Sequence, residues 1–88
     1  MKADTTKEET MKTSEIQRDH QRLLSNLRLI QKQYTIARLA KVLDISKATW
    51  LNRMKEPWRM FSYDDFKIVA DYCKIDIVTL MHGELRLQ

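Results

Sequence analysis

Helical periodicity runs through nearly the whole chain. Residues 1–13 are the exception, with Met1, Ala3 and Met11 as their only apolar positions, and are expected to form a disordered tail. From Ser14 the pattern changes: Ile16, His20, Leu23, Leu24, Leu27 and Ile30 mark one face of a long helix, which Ser14 and Gln17 open as a capping box and Lys32-Gln33-Tyr34 closes. Ile36, Leu39, Ala40 and Leu43 repeat as the stripe of a short second helix, capped by Thr35. Asp44-Ile45-Ser46 is a hinge, and Ser46 caps a third helix from about Lys47 to Lys55, with Trp50 and Met54 on one side. Pro57 forces its predecessor towards extended geometry, so residues 56–61 are expected to be a loop.

A fourth helix opens at Ser62-Tyr63-Asp64-Asp65, its carboxylates near the positive helix end, and turns Phe66, Val69, Ala70 and Cys73 inward. Lys74-Ile75 makes a short turn. Asp76 caps a fifth helix with Ile77, Leu80 and Met81 inward, and Gly83 is its expected C-terminal cap. The prediction is an all-α, compact five-helix domain over residues 14–88, with no internal repeat and no interdomain linker.

Composition narrows the function. Eighty-eight residues suit one domain, and at that size burial is too modest for a deep substrate cavity, so an enzyme is not expected. One glycine and one proline leave hairpins without their usual turn residue and rule out a glycine loop around phosphate. The lone Cys73 excludes an internal disulfide and fits a reducing compartment. No run approaches the roughly 20 apolar residues that span a bilayer, and residues 1–13 lack the apolar stretch of a signal peptide. A cytoplasmic protein is expected.

Charge is unevenly distributed. Residues 1–27 balance, and residues 60–88 are net acidic. Between them, Arg28, Lys32, Arg38, Lys41, Lys47, Arg53, Lys55 and Arg59 face only Asp44 and Glu56. The positive charge therefore gathers on the hinged pair of helices and its flanks, where phosphates would lie.

The pair, Thr35 to Lys55, resembles the helix-turn-helix of the lambda repressor/Cro-like family, also called XRE-type regulators. The matching pieces are Leu39-Ala40, Leu43-Asp44-Ile45-Ser46 across the turn, and Ser46-Lys47-Ala48-Thr49-Trp50. The segments Ser62 to Cys73 and Ile75 to Gly83 continue the likeness, which covers roughly residues 16–84. Ala40 is small where the two helices meet, and overpacking there would cost about 1–3 kcal/mol. Three positions depart from the family pattern. Asp44 stands where glycine is usual, Ile36 where glutamine often reaches DNA, and Arg53 where an apolar residue is common, its stem packing while its guanidinium leaves for solvent or a phosphate.

The resemblance implies a sequence-specific binder of double-stranded DNA, a transcriptional regulator of phage-like or bacterial kind, expected to be a repressor, acting as a homodimer on an inverted repeat. Base reading in the major groove then falls to Ser46, Lys47, Ala48, Leu51, Asn52 and Lys55. Asn52 suits adenine, Lys47 suits guanine, Ala48 or Leu51 suits a thymine methyl, and Lys47 and Lys55 serve phosphate nearly as well. Thr35, Arg38, Lys41, Arg53 and Arg59 are the expected phosphate contacts. Because Ile36 cannot replace glutamine, the contact at the start of the second helix passes to Thr35 and free backbone N–H groups.

Other readings stay open. An antitoxin that represses its own operon, with a toxin or phage protein as partner, fits the same fold. So does a protein-binding module that kept the fold without DNA affinity, given Ile36 and Asp44. Trp58 and Phe61 either fold back onto the core or join a dimer contact, with Leu85 and Leu87 as alternative dimer residues. No cofactor or metal is expected: His20 and His82 lack partners at ligand spacing, and Asp64-Asp65 is explained by capping. Little sequence follows the fifth helix, so control is expected from concentration, a partner or proteolysis.

Overall fold

The computed structural model describes residues 2–85, with side chains from Glu15 to Leu85. It has six helices and no strand among the described residues: α1 (Lys2–Tyr34), α2 (Ile36–Val42), α3 (Lys47–Arg53), α4 (Pro57–Met60), α5 (Tyr63–Cys73) and α6 (Ile77–His82). The fold is all-α, as the periodicity requires. None of these helices is long and apolar enough to cross a membrane.

Two elements differ from the sequence reading. Residues 2–13, expected as a disordered tail, continue α1 as helix, so position 14 lies inside the helix and not at its start. That stretch has neither glycine nor proline, and a helix already nucleated by packing gains one hydrogen bond for each residue it adds. Ile16 consequently lies beyond the packed body and is 54% exposed. The radius of gyration is 15.1 Å, against about 12 Å for a compact chain of this length, because α1 projects.

The second difference is α4, which replaces the expected loop and raises the helix count from five to six. Proline suits a first helical position, where the N–H it lacks would have no intrahelical partner, and Pro57 occupies that place. Through this short helix Trp58 and Phe61 turn inward. Phe61 is buried, its ring centroid 5.2 Å from Trp50 and 5.7 Å from Phe66. Trp58 lies flat on His20, with centroids 4.2 Å apart. Phe61 is therefore core and not a dimer contact.

One core joins all six helices. Leu23, Leu27 and Ile30 of α1 meet Leu39 and Ala40 of α2, Trp50 of α3, Phe66, Val69, Ala70 and Cys73 of α5, and Leu80 of α6, and Trp58 of α4 packs against them. Leu27, Ile30, Leu39, Trp50 and Leu80 are almost wholly buried. Burying a large apolar side chain contributes about 1.5–3 kcal/mol, so these positions carry much of the stability. Leu85 closes the bottom of the core, 7% exposed, and so is not free for a partner; Leu87, the other suggested dimer residue, lies outside the described residues.

The hinge of the α2–α3 pair recurs. After α2, Asp44 adopts a left-handed backbone (φ 58°), its N–H donates to Lys41 O, and Ile45 N–H donates to Ala40 O at 2.9 Å. After α5, Lys74 does the same (φ 57°), with Lys74 N–H on Asp71 O and Ile75 N–H on Ala70 O at 2.9 Å. Both are Schellman closures. Each is followed by an isoleucine packed on the core and then a capping residue, Ser46 or Asp76. The sequence shows no repeat because only the isoleucine is common to the two turns.

Gly83 follows α6 for a reason other than the expected left-handed cap. Its backbone is extended (φ −90°), but a Cβ there would stand 2.9 Å from Thr79 Cα and 3.0 Å from Thr79 O. Space, not backbone freedom, selects the glycine.

Candidate nucleic-acid interface

The α2–α3 unit is held by local chemistry at each of its ends. Thr35 Oγ1 accepts a bond from Arg38 N–H at 3.4 Å, opening α2. Its backbone is unusual: φ 70°, ψ 147° is a region glycine visits and a β-branched residue avoids. That strained residue lets the chain close α1, through Thr35 N–H on Gln31 O, and start α2 in the next step. Ser46 Oγ accepts from Thr49 N–H at 3.0 Å and donates to Thr49 Oγ1 at 2.9 Å, opening α3.

Trp50 is the pivot of α3. It is fully buried against Phe61, and its indole N–H donates to Gln31 Oε1 on α1 at 2.9 Å. With Trp50 turned inward, the opposite face must turn outward. Lys47, Ala48, Leu51 and Asn52 are all exposed, as are Ser46 at the opening of the helix and Lys55 just beyond its end. The six expected base-reading residues thus share one accessible surface. No carboxylate interrupts α3 itself.

The expected phosphate residues divide into two groups. Thr35, Arg38 and Lys41 are exposed along α2, and no described carboxylate forms an ion pair with Arg38 or Lys41. Arg53 instead reaches Asp65 at 3.4 Å, with its guanidinium carbon 5.8 Å from the centre of the Phe61 ring. Asp65 also accepts Ser62 N–H as half of the α5 capping box. Arg53 is thereby a strut between α3 and α5, rather than a side chain free to leave for phosphate. Arg59 is paired with Glu56 in the same way, at the surface.

Ile36, the first residue of α2, is half-buried and packed on the core. At the start of α2 the exposed polar group is accordingly Thr35.

Two residues that tie the helices together had no role in the sequence reading. Gln31, which holds α3, is one. The other is Asn26, the one polar residue buried in the core among the described residues. Its amide donates to Leu80 O and Gly83 O, both at 2.9 Å, and its Oδ1 accepts Leu85 N–H at 3.0 Å. It closes α6 from α1. The signal was there in principle, since Asn26 interrupts the apolar face formed by Leu23, Leu27 and Ile30.

Other chemistry is sparse among the described residues. No group of three or more His, Cys, Asp or Glu is placed to hold a metal ion. His82 Nδ1 lies 2.9 Å from Asp19, joining α6 to α1. Cys73 is buried, and burial pushes its thiol up to about 11. No protein-family model, curated protein or solved structure matches the chain.

Proposed function

We propose that the chain is a sequence-specific double-stranded DNA-binding regulator that lays α3 in the major groove. The observation that carries this reading is the outward face of α3. Lys47, Ala48, Leu51 and Asn52 stand exposed on a helix pinned from behind by Trp50, flanked by Arg38 and Lys41 on α2. A helix held rigidly with one face exposed suits a groove about 12 Å wide. Cationic side chains without acidic neighbours on that helix suit phosphate.

Within this reading Asn52 pairs with adenine, Lys47 with guanine, and Ala48 and Leu51 touch thymine methyls. Thr35, Arg38 and Lys41 fix the register on the backbone. The same reading carries a homodimer acting as a repressor on an inverted repeat, because paired half-sites require paired proteins.

The test is selection from a genomic fragment library, followed by titration of the selected duplex at several salt concentrations. Specific binding should enrich one sequence, and log K should fall with log salt by about 0.9 for each phosphate neutralised. No enriched sequence, together with salt-insensitive or absent binding, would remove DNA from the reading and leave a protein-binding module.

A further inference from the structure

We infer a second phosphate-binding site, built by α1 and the end of α3, that takes the DNA backbone at the flank of the recognition helix. The inference rests on the DNA-binding reading above and adds residues to it. Leu24, Arg28 and Gln31 recur at i, i+4 and i+7 on α1, so they form one stripe facing a single direction. Across from them lie Leu51, Met54 and Lys55, and the six side chains together line a shallow groove of about 310 Å³. Leu51 and Lys55 also belong to the outward surface of α3. The groove is therefore continuous with the surface proposed to enter the major groove.

Its chemistry selects the occupant. The lining holds two cations and one carboxamide, and no carboxylate. Among the described residues, neither Arg28 nor Lys55 forms an ion pair. Gln31 is held in place by Trp50, and an indole N–H can only donate, so the oxygen of Gln31 must face it. The amide N–H2 of Gln31 is left as a donor, and no described group accepts from it. An anion with several acceptor oxygens matches two cations and one oriented N–H2 group. Next to a major-groove helix, that anion is a backbone phosphate.

The site also decides between two roles for Lys55. α3 ends at Arg53, so Lys55 lies in the following turn, beside Arg28. It belongs with the backbone contacts and not with the base-reading residues. Arg28 and Gln31 are positioning contacts of the same kind.

The experiment uses the full chain on a random-sequence duplex pool and on the best duplex selected from it, titrated against salt. Arg28→Ala and Lys55→Ala should each lower the salt slope by about 0.9, with equal loss of affinity for selected and random duplex. The double variant should lose about twice that slope. Arg28→Lys should keep it, and Arg18→Ala, about 15 Å away along α1, should leave it unchanged. Far-ultraviolet circular dichroism checks that each variant keeps its helices. An unchanged slope in Arg28→Ala, or an altered base preference in Lys55→Ala, overturns the site while leaving the DNA-binding reading intact. A wild-type chain that binds neither duplex removes both.

Discussion

Among the described residues, three hold positive φ angles that their side chains disfavour: Thr35, Asp44 and Lys74. Asp44 is the mildest, because a short polar side chain tolerates left-handed backbone. Lys74 has no such excuse, and its turn is the same Schellman closure in which glycine is usual. Lys74→Gly should raise stability by about 1 kcal/mol, the relief of the left-handed strain exceeding the entropy that glycine adds to the unfolded chain. Urea unfolding monitored at the tryptophans checks it, and an unchanged or lower midpoint would show that the turn is unstrained.

Cys73 gives a second prediction at this scale. Its thiol titrates near 11 in the fold because burial penalises the thiolate, against 9.0 for a free cysteine. A raised folded value means that the contribution is complete below pH 9 and is lost as pH rises towards 11. Stability should therefore fall across that interval, and Cys73→Ala should flatten the fall while lowering stability at neutral pH.

Among the elements, α3 is short but over-determined. Seven residues would not form a stable helix alone; Ser46 opens it, Trp50 anchors it and Arg53 ties its last turn to Asp65. Under the proposed DNA-binding reading, rigidity of this kind lets a few side chains distinguish base pairs. Asn52→Ala should relax preference at one base-pair position, at a cost of about 1–3 kcal/mol for the preferred duplex. Arg38→Ala should weaken all duplexes alike and reduce the salt slope by about 1. Binding measured on a set of single-position operator variants separates the two outcomes, and uniform loss in both variants would displace the base-reading role from α3. Much of this element was legible beforehand. Thr35, Ser46 and the Leu39-Ala40 stripe have the expected roles because capping and periodicity act over three or four residues. The lengths of α3 and α4 were not legible: whether a proline ends one helix or begins the next depends on what Trp58 and Phe61 find to pack against.

For the molecule as a whole, Asn26 ties the second half of α1 to the segment that closes α6. Its amide satisfies carbonyls of Leu80 and Gly83 and the N–H of Leu85, groups more than 50 residues away in sequence. Arg22 on the carbonyl of His82 and His82 on Asp19 reinforce the same junction at the surface. Removing the amide leaves buried backbone groups unpaired, each costing about 1–3 kcal/mol. Asn26→Ala should destabilise the fold by on the order of 3 kcal/mol, and hydrogen exchange should show α6 opening first. A loss under 1 kcal/mol with even exchange would mean that water replaces the amide.

What the sequence by itself determined is local: the helical class, the N-terminal caps at Thr35, Ser46, Ser62 and Asp76, the inner face of α5 and the apolar stripe of α2. Those follow from periods of 3.6 residues and from hydrogen bonds closed within one turn. The tertiary structure decided what lies between distant residues. It set Arg53 on Asp65, Trp50 on Gln31, Asn26 on the end of α6 and Arg28 beside Lys55. No pattern along the chain encodes such pairs, because each depends on how two helices are brought together by the core they share.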